Sequence, residues 1–418
     1  MFDELFESPV TIERHLTSPL SSERVLFLGR LHQDRFAKGT LRHIAEYLLA
    51  IISHLKLEDC SGEHFCPEQI SEAADRWTIV RRKPHTVKYA RRARQHFIRY
   101  ATRWLTFLDR FQPPCPPSCP YDYYISEFAA FMRQEQGLAP KTIAYRCNAT
   151  RKFLRSLYDQ GISLDNLRIP DIDLALAQQV TELKYARITV QTYAGSLRAF
   201  FRFAEIRGWC TAGVASAIMA PRVFHHESLP CGPSWKQVNE LLTTAVGDCP
   251  VNIRDYAILS LLSVYGLRAG EVAQITFEDI DWRNEEILIR RSKRLGVHRY
   301  PLTCSVGDSI VRYLKEVRPP SDHREVFLTL TAPFRPINSG TVYPIVASRL
   351  RPIAGALKHH GPHALRHSCA THLLDEGHSL KEVGDHLGHR NIETTRIYAK
   401  VNLAALREVA NFDLGGLL

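Results

Sequence analysis

Two proline-rich stretches cut this chain into three segments, and neither can be threaded through a helix. The first is Gln112-Pro113-Pro114-Cys115-Pro116-Pro117, with Pro120 close behind; the second runs from Pro221 to Pro233 through Pro230 and Gly232. Proline has no backbone N–H to donate and fixes φ near −65°, so runs of it end helices and mark linkers. The expected organisation is a segment over 1–112, a second over 113–220, a linker at 221–233 and a third segment over 234–418. A length of 418 residues accommodates two to four domains at roughly 100–200 residues each. No internal repeat is present, and the 45% hydrophobic content supplies ordinary globular cores.

The first two segments read as helical. In 1–112, Leu41, Ile44, Ala45, Leu48 and Leu49 recur at helical spacing, followed by Ile51 and Ile52. From Arg76 to Arg110 the segment turns basic. Arg81, Arg82, Lys83, Lys88, Arg91, Arg92, Arg94, Arg99 and Arg103 are interleaved there with Tyr89, Phe97, Tyr100 and Trp104. Two readings of this stretch weigh about equally. One is a solvated helix face over an aromatic core; the other is a surface that tracks nucleic-acid phosphates, with Arg91 and Arg92 among its contacts. In 113–220, Phe128, Phe131 and Met132 mark a helix and Gly137-Leu138-Ala139-Pro140 breaks it. A basic helix then starts near Lys141 and Thr142 and carries Tyr145, Arg146, Arg151 and Lys152, with Phe153, Leu154 and Leu157 on its apolar positions. A last helix from about Val190 carries Leu197, Phe200, Phe201 and Ala204 and ends near Gly208.

A net charge of +10 and a pI of about 9.1 favour acidic partners, nucleic acid first among them. No basic region followed by an apolar run opens the chain, and no stretch reaches about 18 uninterrupted apolar residues, so neither a signal peptide nor a membrane span is expected. A cytoplasmic location follows, and the ten cysteines are then mostly free thiols. Cys60, His64 and Cys66 lie close together, with Cys115 and Cys119 downstream. Their spacing is irregular and proline fills much of the second pair, so a structural zinc is the lesser reading and no metal is expected.

The third segment carries the chemistry. Helices are expected over about Trp235–Ala245 and through Tyr256, Leu259, Leu262 and Val264. Residues 286–290 read as a strand and 297–302 as its antiparallel partner, with the turn at Arg294-Leu295-Gly296. Gly361-Pro362 precedes a helix on which His363 and Arg366 stand at i and i+3, on one face. Leu365, Cys369 and Leu373 form an apolar face of the same helix. Ser379 and Glu382 have capping-box spacing, Gly388 ends the short helix they open, His389 sits in the turn, and Asn391 can cap a last helix carrying Tyr398.

Phosphodiester cleavage without a metal needs few groups, and this segment holds all of them. Two guanidinium groups, Arg268 and Arg366, can clamp the non-bridging oxygens on which charge accumulates. A phenol such as Tyr398 attacks once its proton is taken. A lysine such as Lys293 can protonate the leaving alkoxide, and imidazoles move protons near neutrality. Each residue alone is ordinary: an exposed arginine, a solvated lysine at a hairpin tip, a structural His–Arg pair, a core tyrosine. Their joint occurrence in this order makes the catalytic reading the stronger one.

Gly-Leu-Arg-x-x-Glu at 266–271, Lys293, His-x-Leu-Arg-His-Ser at 363–368, Leu-Gly-His at 387–389 and Tyr398 closely resemble the tyrosine recombinase, or phage-integrase-like, family. The resemblance covers about 234–405. Leu-Ala-Pro-Lys-Thr at 138–142 with Tyr145, and Arg-Ala-Phe-Phe-Arg-Phe-Ala at 198–204 with Gly208-Trp209, resemble that family's helical core-binding domain. Residues 1–112 match none of its shared parts and are left as a basic helical domain without an assigned role, an extra DNA-binding domain being one reading.

The resemblance implies a mainly α fold with a small antiparallel β-sheet. It implies that Tyr398 attacks the scissile phosphate to give a 3′-phosphotyrosine and a 5′-hydroxyl. Lys293 is then the general acid, Arg268, Arg366 and His389 hold the phosphate, and His363 accepts the proton from Tyr398. Glu271 positions the arginine site or supports the fold. Lys141, Thr142, Arg146 and Arg151 face DNA. No cofactor is needed, because the phosphotyrosine conserves the bond energy. The implied partner is double-stranded DNA bearing recombination sites. Four protomers act on two sites through a Holliday junction, alone or with other recombinases of the same element, in integration, excision or transposition. The tail with Val401, Leu403, Leu406 and Val409 has two possible berths, a neighbouring protomer or its own domain. Two other functions fit the same residues less well: a type IB topoisomerase, which needs no partner site, and a DNA-binding protein that has lost catalysis.

Overall fold

The computed structural model describes residues 1–57, 62–80, 87–114, 121–223, 231–291, 296–388 and 393–399. The expectations for Lys293, Arg294 and Leu295, for His389 and Asn391, for Arg81, Arg82 and Lys83, for Cys60, Cys115 and Cys119, and for the tail beyond Ala399 lie outside those residues. The chain divides into two compact units: residues 113–227, and residues 1–112 with 228–418.

Residues 1–112 are helical. Three helices, α1 (Phe2–Leu5), α2 (Pro9–Thr17) and α3 (Ser21–Gln33), precede α4 (Lys38–Leu55), α5 (Pro67–Val80) and α6 (Val87–Phe107). The apolar stripe of α4 is buried at Leu41, Ile44, Ala45, Leu48, Ile51 and Ile52. It shares a core with Phe97, Tyr100, Ala101 and Trp104 of α6, as the 3.6-residue period requires.

The 113–227 unit holds α7 (Asp122–Gln134), α8 (Pro140–Asp159), α9 (Ile169–Thr181), α10 (Arg187–Ile206) and the short α11 (Val214–Ala217). Phe128, Phe153, Phe200, Phe201 and Phe203 interlock at its centre, with Phe128 edge-on to Phe200 at 5.5 Å. Pro140 occupies the first turn of α8, where its missing N–H costs nothing.

The C-terminal region, from 231 on, is mixed. It contains α12 (Trp235–Thr243), α13 (Pro250–Val264), α14 (Ala269–Ala273), strands β1 (Ile280–Asp281), β2 (Glu286–Arg290) and β3 (Val297–Pro301), then α15 (Cys304–Glu316), α16 (Ser339–Ile353), α17 (Pro362–Asp375), α18 (Leu380–Leu387) and α19 (Glu393–Ala399). Helix α13 is the centre of this body. Ala257, Ile258, Leu259, Leu261 and Leu262 are all fully buried, which marks a helix packed on every side.

The sheet has the order β1-β2-β3 and is antiparallel throughout. The expected hairpin is present, with Ile287 opposite Tyr300 and Ile289 opposite His298. Ile287 and Ile289 are buried while Glu286, Leu288 and Arg290 are not, the alternation of a one-sided strand. The third strand, β1, was not expected; two residues are too few to give an alternating pattern. The fold is therefore mainly helical with a small antiparallel sheet.

Candidate active site

The site is assembled from four turns of the C-terminal body. At the first, Gly266 takes a left-handed conformation (φ 58°) between α13 and α14, so that Arg268 becomes the N-cap of α14. A Cβ at Gly266 would lie 2.5 Å from Leu387 Cδ2. Gly266→Ala is therefore expected to destabilise the C-terminal body by at least about 1 kcal/mol from backbone strain alone, read as an earlier denaturant midpoint.

Arg268 donates from Nη1 to Glu271 Oε1 at 2.7 Å, and its backbone N–H donates to Oε2 at 2.8 Å. Its side chain stays 43% exposed while that of Glu271 is 4% exposed. The guanidinium is thus held from behind and presented outward. Burial by itself would raise the Glu271 carboxyl, but the Arg268 backbone N–H and the guanidinium groups of Arg291 and Arg268 together hold it below the ordinary carboxylate range.

Helix α17 supplies the next group. Pro362 fills its first turn, and His363 is exposed. Arg366 is buried to 1% and donates to two backbone carbonyls, Gly266 O and Leu387 O, each at 2.7 Å. The expectation that Arg366 shares one helix face with His363 does not show this burial. Its inner donors lace the Gly266 turn to the end of α18. Burial, then the charge of Arg268, pulls its guanidinium down to about 10, still protonated at neutral pH.

At the third turn, Ser379 and Glu382 form the expected capping box, and Gly388 closes α18 in a left-handed conformation (φ 64°). At the fourth, α19 brings in Tyr398. Its side chain is 2% exposed in an apolar nest with Ala370, Leu374, Val383 and Leu387. Burial pushes the phenol up to about 12.

The imidazole within hydrogen-bond reach of Tyr398 Oη is His367, not His363 as expected. Its Nδ1 lies 2.9 Å from the hydroxyl. Burial, then the neighbouring His363 and Arg366, lowers His367 to about 4, so the ring is neutral at pH 7, and in the tautomer protonated on Nε2 its Nδ1 accepts from the phenol. His363 stands edge-on to His367, ring centroids 4.6 Å apart. Desolvation, then the charges of Arg366 and Arg268, lowers His363 as well. His367 was visible in the sequence as the fifth residue of the His-x-Leu-Arg-His stretch, but helical spacing alone did not show which imidazole meets Oη.

A pH dependence follows with a definite sign. Because His367 binds its proton more weakly folded than unfolded, the associated stability is complete above about pH 6.5 and is lost as pH falls toward about 4. In His367→Gln this portion is absent. Its denaturant midpoint is expected to fall less than that of the native chain between pH 7 and pH 5.

The remaining expected contacts are dispersed. Lys141, Thr142 and Tyr145 are exposed on the first turns of α8, Arg146 is half-buried, and Arg151 is exposed, 3.7 Å from Asp122. On α6, Arg91 and Arg92 are exposed. Further along α6, Arg94 is paired with Asp75, Arg103 reaches Asp34, and Arg99 lies over the Tyr100 ring. Much of the basic character of that helix is therefore committed within its own body. Among the described residues, no group of three or more His, Cys, Asp or Glu could hold a metal ion, and no helix is long and apolar enough to cross a membrane.

Residues 234–404 match the Phage integrase family. The chain is 31% identical over 357 residues to y4rA of Sinorhizobium fredii strain NGR234, named as an integrase/recombinase, a match covering 85% of this chain and 83% of that protein. The chain belongs to the tyrosine recombinase family. A second relative, the tyrosine recombinase XerC of Lacticaseibacillus casei, is 27% identical over 68% of this chain and 95% of its own length. Among solved structures, the Tn1549 transposon integrase shares the fold with a TM-score of 0.52 at 19% identity, over 68% of this recombinase and 98% of that chain. XerH does so at 0.51 and 18%, over 69% and 94%. The recombinase is thus a tyrosine-based site-specific enzyme of DNA recombination.

Proposed function

We propose that this recombinase cuts and rejoins duplex DNA through a 3′-phosphotyrosine at Tyr398. The observation that carries the proposal is the 2.9 Å hydrogen-bond contact between Tyr398 Oη and Nδ1 of a neutral His367, adjacent in sequence to the buried guanidinium of Arg366. A phenol paired with an unprotonated imidazole beside fixed cations has what nucleophilic attack on a phosphodiester needs. In the proposed step the Oη proton passes to His367 Nδ1 and Oη bonds to phosphorus. The bond to O5′ breaks, and Lys293 protonates that oxygen. Arg268, Arg366 and His389 bear the charge of the phosphoryl oxygens, with Glu271 bracing Arg268. His363, beside both His367 and the arginines, assists at the same phosphate. Attack by a second 5′-hydroxyl reverses the step on a new strand.

Because Oη is buried, a phosphate reaches it only when DNA binding opens the site around α19, a movement in which we propose that Oη stays within reach of His367 Nδ1. The solved neighbours support a DNA substrate. The XerH structure is a post-cleavage complex with its difH substrate, and the Tn1549 integrase was captured on a circular intermediate DNA. By the same reading, Lys141, Thr142, Arg146 and Arg151 contact DNA from the 113–227 unit, Arg91 and Arg92 contribute phosphate contacts, and four protomers join two sites through a Holliday junction.

The test uses duplexes that the full-length protein selects from a random-sequence pool, each nicked at successive positions so that cleavage releases a short strand. The expected result is an SDS-resistant protein–DNA band at one nick position. Tight binding with no such band at any position would contradict the proposal.

A further inference from the structure

One buried cation in this body has no part in the mechanism above. Arg291 follows the last residue of β2 and precedes Lys293 by two positions. A charged residue at a strand end is ordinarily solvated, yet the Arg291 side chain is 1% exposed. Its Nη1 donates to Glu271 Oε2 at 2.8 Å, the carboxylate whose other oxygen holds Arg268. Its Nη2 donates to the Tyr300 hydroxyl at 2.5 Å, and that hydroxyl donates to the backbone carbonyl of His386. Its guanidinium also lies flat against Gly388, where an added Cβ would come within 2.6 Å of Cζ. The Arg291 backbone N–H closes the hairpin by donating to Gly296 O at 3.3 Å.

One planar fork therefore ties together the Arg268 turn through Glu271, the β2–β3 hairpin through Tyr300, and the end of α18 through Gly388 and the His386 carbonyl. No other described side chain bonds to this combination. A lysine could not replace it, since a single ammonium cannot span the carboxylate and the hydroxyl in the plane that Gly388 leaves open.

We infer that Arg291 is a positioning residue for strand cleavage: it fixes Arg268, the β2–β3 pair and the Gly388 end of α18 in one register, and it acts on the phosphate only through the groups that these carry. The inference rests on the proposed phosphotyrosine chemistry. If the native chain forms no covalent adduct on selected DNA, that chemistry fails; if it does, Arg291 is tested separately.

The test is single-turnover trapping on saturating selected suicide DNA, with the amplitude and the rate of adduct formation read independently. The variants are Arg291→Lys, Arg291→Met and Tyr300→Phe, the last removing one hydroxyl from the network. A displaced phosphate clamp costs on the order of 100-fold in rate when geometry slips by about 1 Å. Arg291→Lys and Tyr300→Phe are expected to keep the native DNA affinity and amplitude while the rate falls, more for Arg291→Lys. Arg291→Met is expected to fall furthest, and if it does not fold, the other two variants decide. A lowered amplitude at the native rate in those two variants would assign Arg291 to fold stability alone and overturn the inference, as would native rates in both.

Discussion

Tyr398→Phe is expected to abolish covalent adduct formation while leaving DNA binding intact. The substitution removes one oxygen from a side chain that is otherwise buried among Ala370, Leu374, Val383 and Leu387, so the apolar packing of α19 is retained. The structural cost is the lost bond to His367 Nδ1, about 1 kcal/mol for a single neutral hydrogen bond. The catalytic cost is of another order, because the ring then carries no nucleophile, and removing a nucleophile costs on the order of 10⁶-fold in hydrolases that act through one. Trapping on selected suicide DNA, with a gel-shift titration alongside, separates the two effects. A DNA-binding protein without catalysis would lose nothing in either assay, and this variant distinguishes the two most sharply.

Arg366→Met is expected to fail twice. The guanidinium is a structural cation as well as a phosphate ligand. Without it, Gly266 O and Leu387 O, both inside the body, lose their donor, at about 1–3 kcal/mol for each unsatisfied buried group. The same substitution removes a charge from the site of the developing phosphorane, where one positioned donor is worth on the order of 10²–10³-fold. Arg268→Met offers the contrast. Arg268 is largely outward, and its loss leaves Glu271 still paired with Arg291. Adduct formation should drop by a similar factor with the denaturant midpoint close to native. Equilibrium unfolding combined with trapping rates checks both, and an Arg366→Met chain as stable as the native one would show that the carbonyl bonds contribute little.

Features set by neighbouring residues were legible in the sequence. The β2–β3 hairpin follows from two short β-prone runs on either side of a glycine turn, and the Ser379–Glu382 box and the Gly388 stop follow from local backbone chemistry. The helical spacing of His363 and Arg366 likewise put them on α17. Contacts made across the fold were not legible. Arg366 reads as a phosphate ligand on one face with His363, and nothing nearby shows that Gly266 and Leu387 will present carbonyls to it from 100 and 21 residues away. Arg291 carries no reading from the sequence, since its partner Glu271 lies 20 residues upstream. His367 went unassigned because α19 alone decides which imidazole meets Tyr398. No element was expected over α9, which opens with Pro170 in its first turn, where proline is a preferred residue.

The central claim is that Tyr398 itself bonds to DNA. The most direct measurement digests the trapped complex of the full-length native protein with a protease and a nuclease and sequences the nucleotide-bearing peptide by mass spectrometry. The expected result is a single modified peptide containing Thr395-Arg396-Ile397-Tyr398, with the 3′-phosphonucleotide on the Tyr398 oxygen. A nucleotide on any other side chain, or a 5′-linked one on Tyr398, would contradict it.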